Sequence, residues 1–236
     1  MLPRMDLQDQ RFSAVQRGRL VAVVFAVVGA AMLRLSFAAT AAQGGKLSAL
    51  TVTIPVIWFV GGFAVIGLVG TTQAPGTPSV VSLSPMRVRV VAALRRHPVL
   101  AAVAVGAAFA VICLAGASVL VALPLTAGGV QSALHTANTN SAAVFLIALV
   151  TGAAEEIFFR IGLRAILPDR GYVVSSTAVY ALVTASTANG PLVLGAVSLG
   201  FVAAQSYRCI QRWYVPLTVH ALWTVALIGV FPVLKS

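Results

Sequence analysis

Residues 144–167 read VFLIALVTGAAEEIFFRIGLRAIL, an apolar run that carries Glu155, Glu156 and Arg160. Only five acidic residues occur in the whole chain of 236, and two of them sit side by side here. A helix entering the hydrocarbon near Ala142 would place Glu155 roughly 20 Å deep at ~1.5 Å per residue, about 10 Å short of the far side of a ~30 Å core. An ionisable group at that depth is expensive, and it marks a functional site by default. The plainer alternative is that the helix ends in the interface and both acids are solvated. It has to contend with Ile157, Phe158, Phe159 and Leu163, which keep the segment apolar beyond the acids.

The composition extends this reading to the whole chain. Hydrophobic residues make up 59% and charged residues only 9%, as in a polytopic membrane protein rather than a water-soluble domain. The net charge of +11 does not form a basic stripe with interleaved aromatics. Its Arg residues stand at the ends of apolar segments, where lipid headgroups are the natural partner and nucleic acid is not. Cys113 and Cys209 are far apart with no metal-ligand spacing, so neither reads as a disulfide partner or a ligand.

Taken in order, residues 1–19 are a polar, Arg-containing N-terminal segment, and 20–33 are an apolar run ended by Arg34. This is read as a retained first helix. A cleaved secretory signal is the alternative, since SFAATAAQ at 36–43 offers small-residue cleavage sites. Residues 47–69 are the second span and 98–123 the third. The linker 71–97 between them is Pro-rich and then basic, and fits either a short helix on an anionic membrane surface or a solvated loop with stop-transfer charges. Residues 20–123 thus hold three spans. An uncharged loop at 124–141 leads into a second unit at 142–234, with the acid-bearing span, two shorter segments at 172–186 and 191–205 joined as a hairpin by TANG, and a last span at 214–234. The expected fold is all-α, a membrane bundle of about seven spans.

Assigning the connections to alternate sides puts thirteen of the sixteen Lys and Arg residues on the side of the N-terminus, leaving Arg34, Lys46 and Lys235 opposite. The positive-inside rule then makes the N-terminus cytoplasmic, in a multi-pass protein of the cell membrane, with the acid pair nearer the cytoplasmic side. No internal repeat is visible, which argues against an inverted-repeat transporter.

Within the fourth span, Glu156 and Arg160 are spaced i, i+4 with the acid first, the favourable order for pairing along one helix face. That leaves Glu155, about 100° round the helix, as the free carboxylate and the better base. His220 is the sole histidine inside an apolar span, and lies six residues beyond Tyr214. Its depth, roughly 9 Å, matches that of Glu155. A lone intramembrane histidine is often only a hydrogen-bonded packing residue; the matched depth is what favours a shared site. His97 and His135 fall in loops and carry no assigned role.

The stretch E-E-x-x-F-R at 155–160, followed by Tyr214, Pro216, His220 and Ala221, resembles the CPBP family of intramembrane proteases, also called the type II CAAX prenyl endopeptidase or Abi family. The resemblance covers about the last 95 residues. It implies a multi-helix membrane fold with a catalytic cavity opening near the cytosolic side, and an intramembrane peptide-bond hydrolase acting on a prenylated or membrane-embedded peptide. By the family motif, Glu155 is the glutamate that activates water, Glu156 and Arg160 are its adjacent motif partners, and His220 is the later motif histidine. A divalent metal such as zinc held by Glu155 and His220 is part of that expectation. The motif positions differ in part: the family's F-x-x-x-H reads Tyr180-Ala-Leu-Val-Thr184 here, with Thr184 in place of the second histidine, and Thr224 stands where the family has asparagine. Threonine cannot replace imidazole as a base or metal ligand. The two hydroxyls are expected to line the site, where they can bind a water or polarise a carbonyl. A helix beginning at Tyr172 would put Thr184 up to about 18 Å from the cytoplasmic side, deeper than Glu155. A non-catalytic relative that binds a lipidated peptide or partner protein stays open as the second reading.

Overall fold

The computed structural model describes residues 7–70, 85–139 and 141–235, and among them there are helices and no strands. Six helices are long and apolar enough to cross a membrane, and Tyr172–Ala185 is a shorter apolar one. The chain is therefore a multi-pass membrane protein with the all-α architecture expected.

The first helix, α1 (Leu7–Ala42), is longer than the apolar run that announced it. Nothing between residues 7 and 42 breaks a helix, so the turns before Leu20 and beyond Arg34 simply continue it. Gly44 and Gly45, at φ +64° and +84°, end the excursion in a left-handed turn that suits glycine. A 3₁₀ turn (Ala49–Val52) and α2 (Thr53–Val69) return through the layer. Residues 71–84 of the basic linker lie outside the described residues; its second half is a helix, α3 (Pro85–Arg96), rather than a loop. α4 (Pro98–Ala122) crosses next.

One expectation fails here. The uncharged loop expected at 124–141 is a helix over its described part: α5 (Pro124–Thr139) is started by Pro124 in its first turn, where proline costs no hydrogen bond. The acid-bearing segment is α6 (Ser141–Glu155), continued through a π-helical stretch, Glu156–Gly162, into α7 (Leu163–Ile166). α8 (Tyr172–Ala185) and α9 (Gly190–Ile210) form the hairpin, but its second arm is a full-length span rather than a short one. Asn189 caps α9 by accepting from the Leu192 amide at 3.2 Å, which starts the helix as soon as the turn ends. α10 (Tyr214–Thr224), a second π stretch (Val225–Val230) and α11 (Phe231–Lys235) complete the chain.

The core lies where α1, α2 and the π stretch meet. Trp58, Phe158 and Phe159 are fully buried with ring centroids 4.9–5.1 Å apart, and Gly29 leaves the room on α1 that the Trp58 indole fills. Contacts at the two ends of the bundle fix which connections share an end. At one, Arg19 donates to the Ile166 carbonyl, and Arg95 to the Cys209 carbonyl at 2.8 Å. At the other, Gly45 lies against the His135 ring, and Asn189 donates to the Gly129 carbonyl at 3.2 Å. The Arg-rich connections therefore gather at the first end.

Candidate active site

The site begins with a local departure from α-helical bonding. A π turn leaves carbonyls that the regular ladder would have used, and two side chains of α8 collect them. The Ser176 hydroxyl donates to the Phe159 carbonyl at 2.7 Å, and the Tyr172 hydroxyl to the Arg160 carbonyl at 3.1 Å. Single-turn π segments inside α-helices are often found at functional sites. Here the segment starts at Glu156, the second acid of the pair.

Glu156 and Arg160 form the expected ion pair, at 3.2 Å with both side chains fully buried. Arg160 also donates to the Ser176 hydroxyl at 3.0 Å and lies over the Tyr180 ring, 4.9 Å from its centroid. The other oxygen of Glu156 meets His220 Nδ1 at 2.8 Å. A carboxylate only accepts, so the shared proton belongs on Nδ1 and the lone pair on Nε2. That nitrogen faces Glu155, 4.0 Å from its Oε2. Gly152, on the turn before, gives the ring its place: a Cβ there would lie 2.9 Å from Nε2 and Cδ2.

Two expectations change. Glu155 is not a carboxylate without a partner, because the Tyr180 hydroxyl donates to its Oε2 at 2.7 Å. His220 does come close to Glu155, but its hydrogen bond goes to Glu156. The two acids thus have distinct positions. Glu156 is sealed in the protein and orients the imidazole, whereas Glu155 keeps 14% of its side chain exposed.

What Glu155 is exposed to is a cavity of about 500 Å³. Glu155, Tyr180, Thr184, His220 and Thr224 all line it, so four of the six residues singled out in the sequence share one wall; Glu156 and Arg160 lie behind that wall. α8 does start at Tyr172, and Tyr180 rather than Thr184 is level with Glu155. Thr184 sits one turn farther along, its hydroxyl donating to the Tyr180 carbonyl at 2.9 Å, so its proton is engaged within its own helix. The cavity runs from Glu155 past the inner half of α6 to Gly44 and Gly45, to Ser132 and His135 of α5 and to Asn189. At the end of the bundle away from the Arg-rich connections its lining includes exposed residues, among them Ala41, Gly44, Ser132 and His135, and there it meets the surface.

The donor set does not suit a zinc ion. Catalytic zinc sites supply three protein ligands of His, Cys or carboxylate type. Among the described residues no group of three such side chains gathers. Glu155 and His220 Nε2 are what the wall offers, with Nδ1 already bonded to Glu156.

Tyr172, Ser176 and Tyr180 were not picked out from the sequence as site residues. Tyr180 had a legible signal, since it fills the position where the resembling family has phenylalanine four residues before the second histidine. The other two answer to the π turn, which no spacing in the sequence announced.

The family model for type II CAAX prenyl endopeptidase Rce1-like proteins matches residues 137–226, a stretch that contains every residue of this wall. The resemblance carried by the E-E-x-x-F-R motif is thus borne out over that stretch. No curated protein and no solved structure gives a significant match.

Proposed function

We propose, from the Rce1-like domain at residues 137–226, that this chain is an intramembrane peptide-bond hydrolase in which Glu155 and His220 activate one water. The observation that carries the reading is the pair of inward-facing atoms, Glu155 Oε2 and His220 Nε2, 4.0 Å apart at the bottom of a cavity. A water at ~2.8 Å from each would bridge them with ordinary hydrogen-bond geometry. Glu155 then takes a proton as the water oxygen attacks a peptide carbonyl, and the same proton passes to the amide nitrogen as the carbon–nitrogen bond breaks. Assistance of this type is typically worth about 100-fold to 10,000-fold in rate. Tyr180 and Glu156 hold the two groups in place, and the Thr224 hydroxyl in the wall is a neutral donor for the developing oxyanion. The substrate class is a prenylated or membrane-embedded peptide reaching Glu155 from within the lipid-bounded cavity.

One observation favours the second reading, a cavity that binds a lipidated peptide or partner without cleaving it. Thr184 holds the position of the family's second histidine and spends its proton on its own backbone. Incubating the purified chain in detergent with a membrane-peptide library decides between them. The hydrolase reading expects cleavage that Glu155→Gln abolishes. Cleavage that survives Glu155→Gln, or saturable peptide binding with no product, would sink it.

A further inference from the structure

The charge distribution and the position of the cavity mouth bear on which side of the membrane the site serves. The start of α1, the last turn of α3 and the α7–α8 and α9–α10 connections hold many of the Arg residues and share one end of the bundle. The mouth lies at the other end, between the α1–α2 connection, α5 and the α8–α9 turn. Near that end the basic residues are Arg34, Lys46 and Lys235. A bias of this size in short loops close to span ends is what orients a chain with its basic end in the cytoplasm. A cytosolic cavity and the positive-inside rule therefore cannot both hold for this chain, because the mouth and the Arg residues are at opposite ends.

We infer that the cavity opens to the extracytoplasmic side, so that the polypeptide reaching Glu155 is one already across the membrane or anchored in its outer half. This deepens the hydrolase reading and rests on it for the word substrate; the orientation stands on charge and geometry alone. The passage suits an uncharged segment. Between mouth and Glu155 it presents neutral polar groups, among them Ser36, Thr40, Thr136, Thr151 and Thr187, and among the described residues no Lys or Arg lines it. From Ser141 at the mouth end to Glu155 is fourteen residues of α6, roughly 21 Å. An extended chain at ~3.3 Å per residue needs about six or seven residues to reach that deep, so the segment would be a terminus or an unwound end of a membrane helix.

Cysteine labelling in intact cells tests the orientation without requiring catalysis. The full chain carrying Cys113→Ala and Cys209→Ala receives Ser132→Cys at the mouth, Thr151→Cys inside the cavity, or Arg170→Cys at the exposed opposite end. A membrane-impermeant maleimide should label Ser132→Cys and Thr151→Cys in intact cells, and Arg170→Cys only after permeabilisation, which also shows that the chain is present. Labelling of Arg170→Cys in intact cells with Ser132→Cys protected would overturn the inference, as would a Thr151→Cys that reacts only from the cytoplasmic side. Vesicles separate the two readings. A membrane-peptide library, lipid-anchored in the outer leaflet of right-side-out vesicles, should be cut by the wild type and not by Glu155→Gln, whereas inside-out vesicles should cut it only when opened. Expected labelling with no cleavage in either vesicle would overturn the hydrolase reading and uphold the orientation.

Discussion

Glu156→Gln is the substitution that most directly tests how the site is held. Glu156 is fully buried and meets two groups at once, pairing with the Arg160 charge at 3.2 Å through one oxygen and accepting from His220 at 2.8 Å through the other. A glutamine has nearly the same shape, but one of its two ends becomes an NH₂ donor. Turned one way, the NH₂ faces the Arg160 guanidinium; turned the other, it faces Nδ1 and forces His220 into its other tautomer; either way Arg160 is left as an uncompensated buried charge. Breaking a buried pair from one side typically costs about 3–5 kcal/mol. For a chain of this length, at about 2–4 °C per kcal/mol, the midpoint should fall by about 10 °C. Glu155→Gln is the control: its carbonyl can still accept from Tyr180, so it should cost under about 1 kcal/mol while removing the base. The assay is thermal unfolding of the wild type, the two single variants and Glu156→Gln/Arg160→Met in one detergent. The double variant removes both charges and should regain part of the loss, since the penalty lies in the stranded charge rather than in a missing attraction. Equal losses in Glu155→Gln and Glu156→Gln, or a double variant worse than the sum of its parts, would refute the assignment of Glu156 as the buried hub.

Three further outcomes follow from the same geometry. Gly152→Ala puts a methyl 2.9 Å from His220 Nε2 and should displace the ring, lowering peptide cleavage and costing about 1–3 kcal/mol by overpacking; unchanged cleavage would show that the ring position is not used. Tyr180→Phe keeps the ring beneath Arg160 and removes the hydroxyl on Glu155, so kcat should fall with little change in unfolding temperature, and a variant that mainly unfolds would assign Tyr180 a packing role. Thr184→His with Thr224→Asn restores the family pattern on the cavity wall, and should raise cleavage in a Glu155-dependent way by up to the ~100-fold of general acid–base assistance. If that gain persists when Glu155→Gln is added, the imidazole acts on its own and the proposed water site is wrong.

The spans were legible because apolar length is a one-dimensional property. Even the depth match of Glu155 and His220 followed from counting at ~1.5 Å per residue along two helices. Where counting failed, the cause was three-dimensional. Residues 124–141 carry turn-formers and no charge, yet as α5 they pack Gly129 against Pro191 and His135 against Gly45, contacts set by segments more than forty residues away. The second arm of the hairpin looked short because Ser206, Tyr207 and Arg208 end its apolar pattern, although the helix runs on to Ile210. The hydrogen bond of His220 to Glu156 went unforeseen for a related reason. Regular helical geometry put Glu155 and Glu156 about 100° apart and gave the second to Arg160 alone. A fully buried carboxylate can serve two groups, one at each oxygen, however, and Glu156 pairs with the Arg160 charge through one and accepts from His220 through the other. With its Nδ1 so occupied, His220 turns Nε2 toward Glu155 and the cavity. The motif's adjacent acids therefore divide the work by burial, the inner one fixing the imidazole and the outer one meeting whatever enters. Sequence spacing alone could supply the pair, but only the burial of each oxygen tells which acid does which.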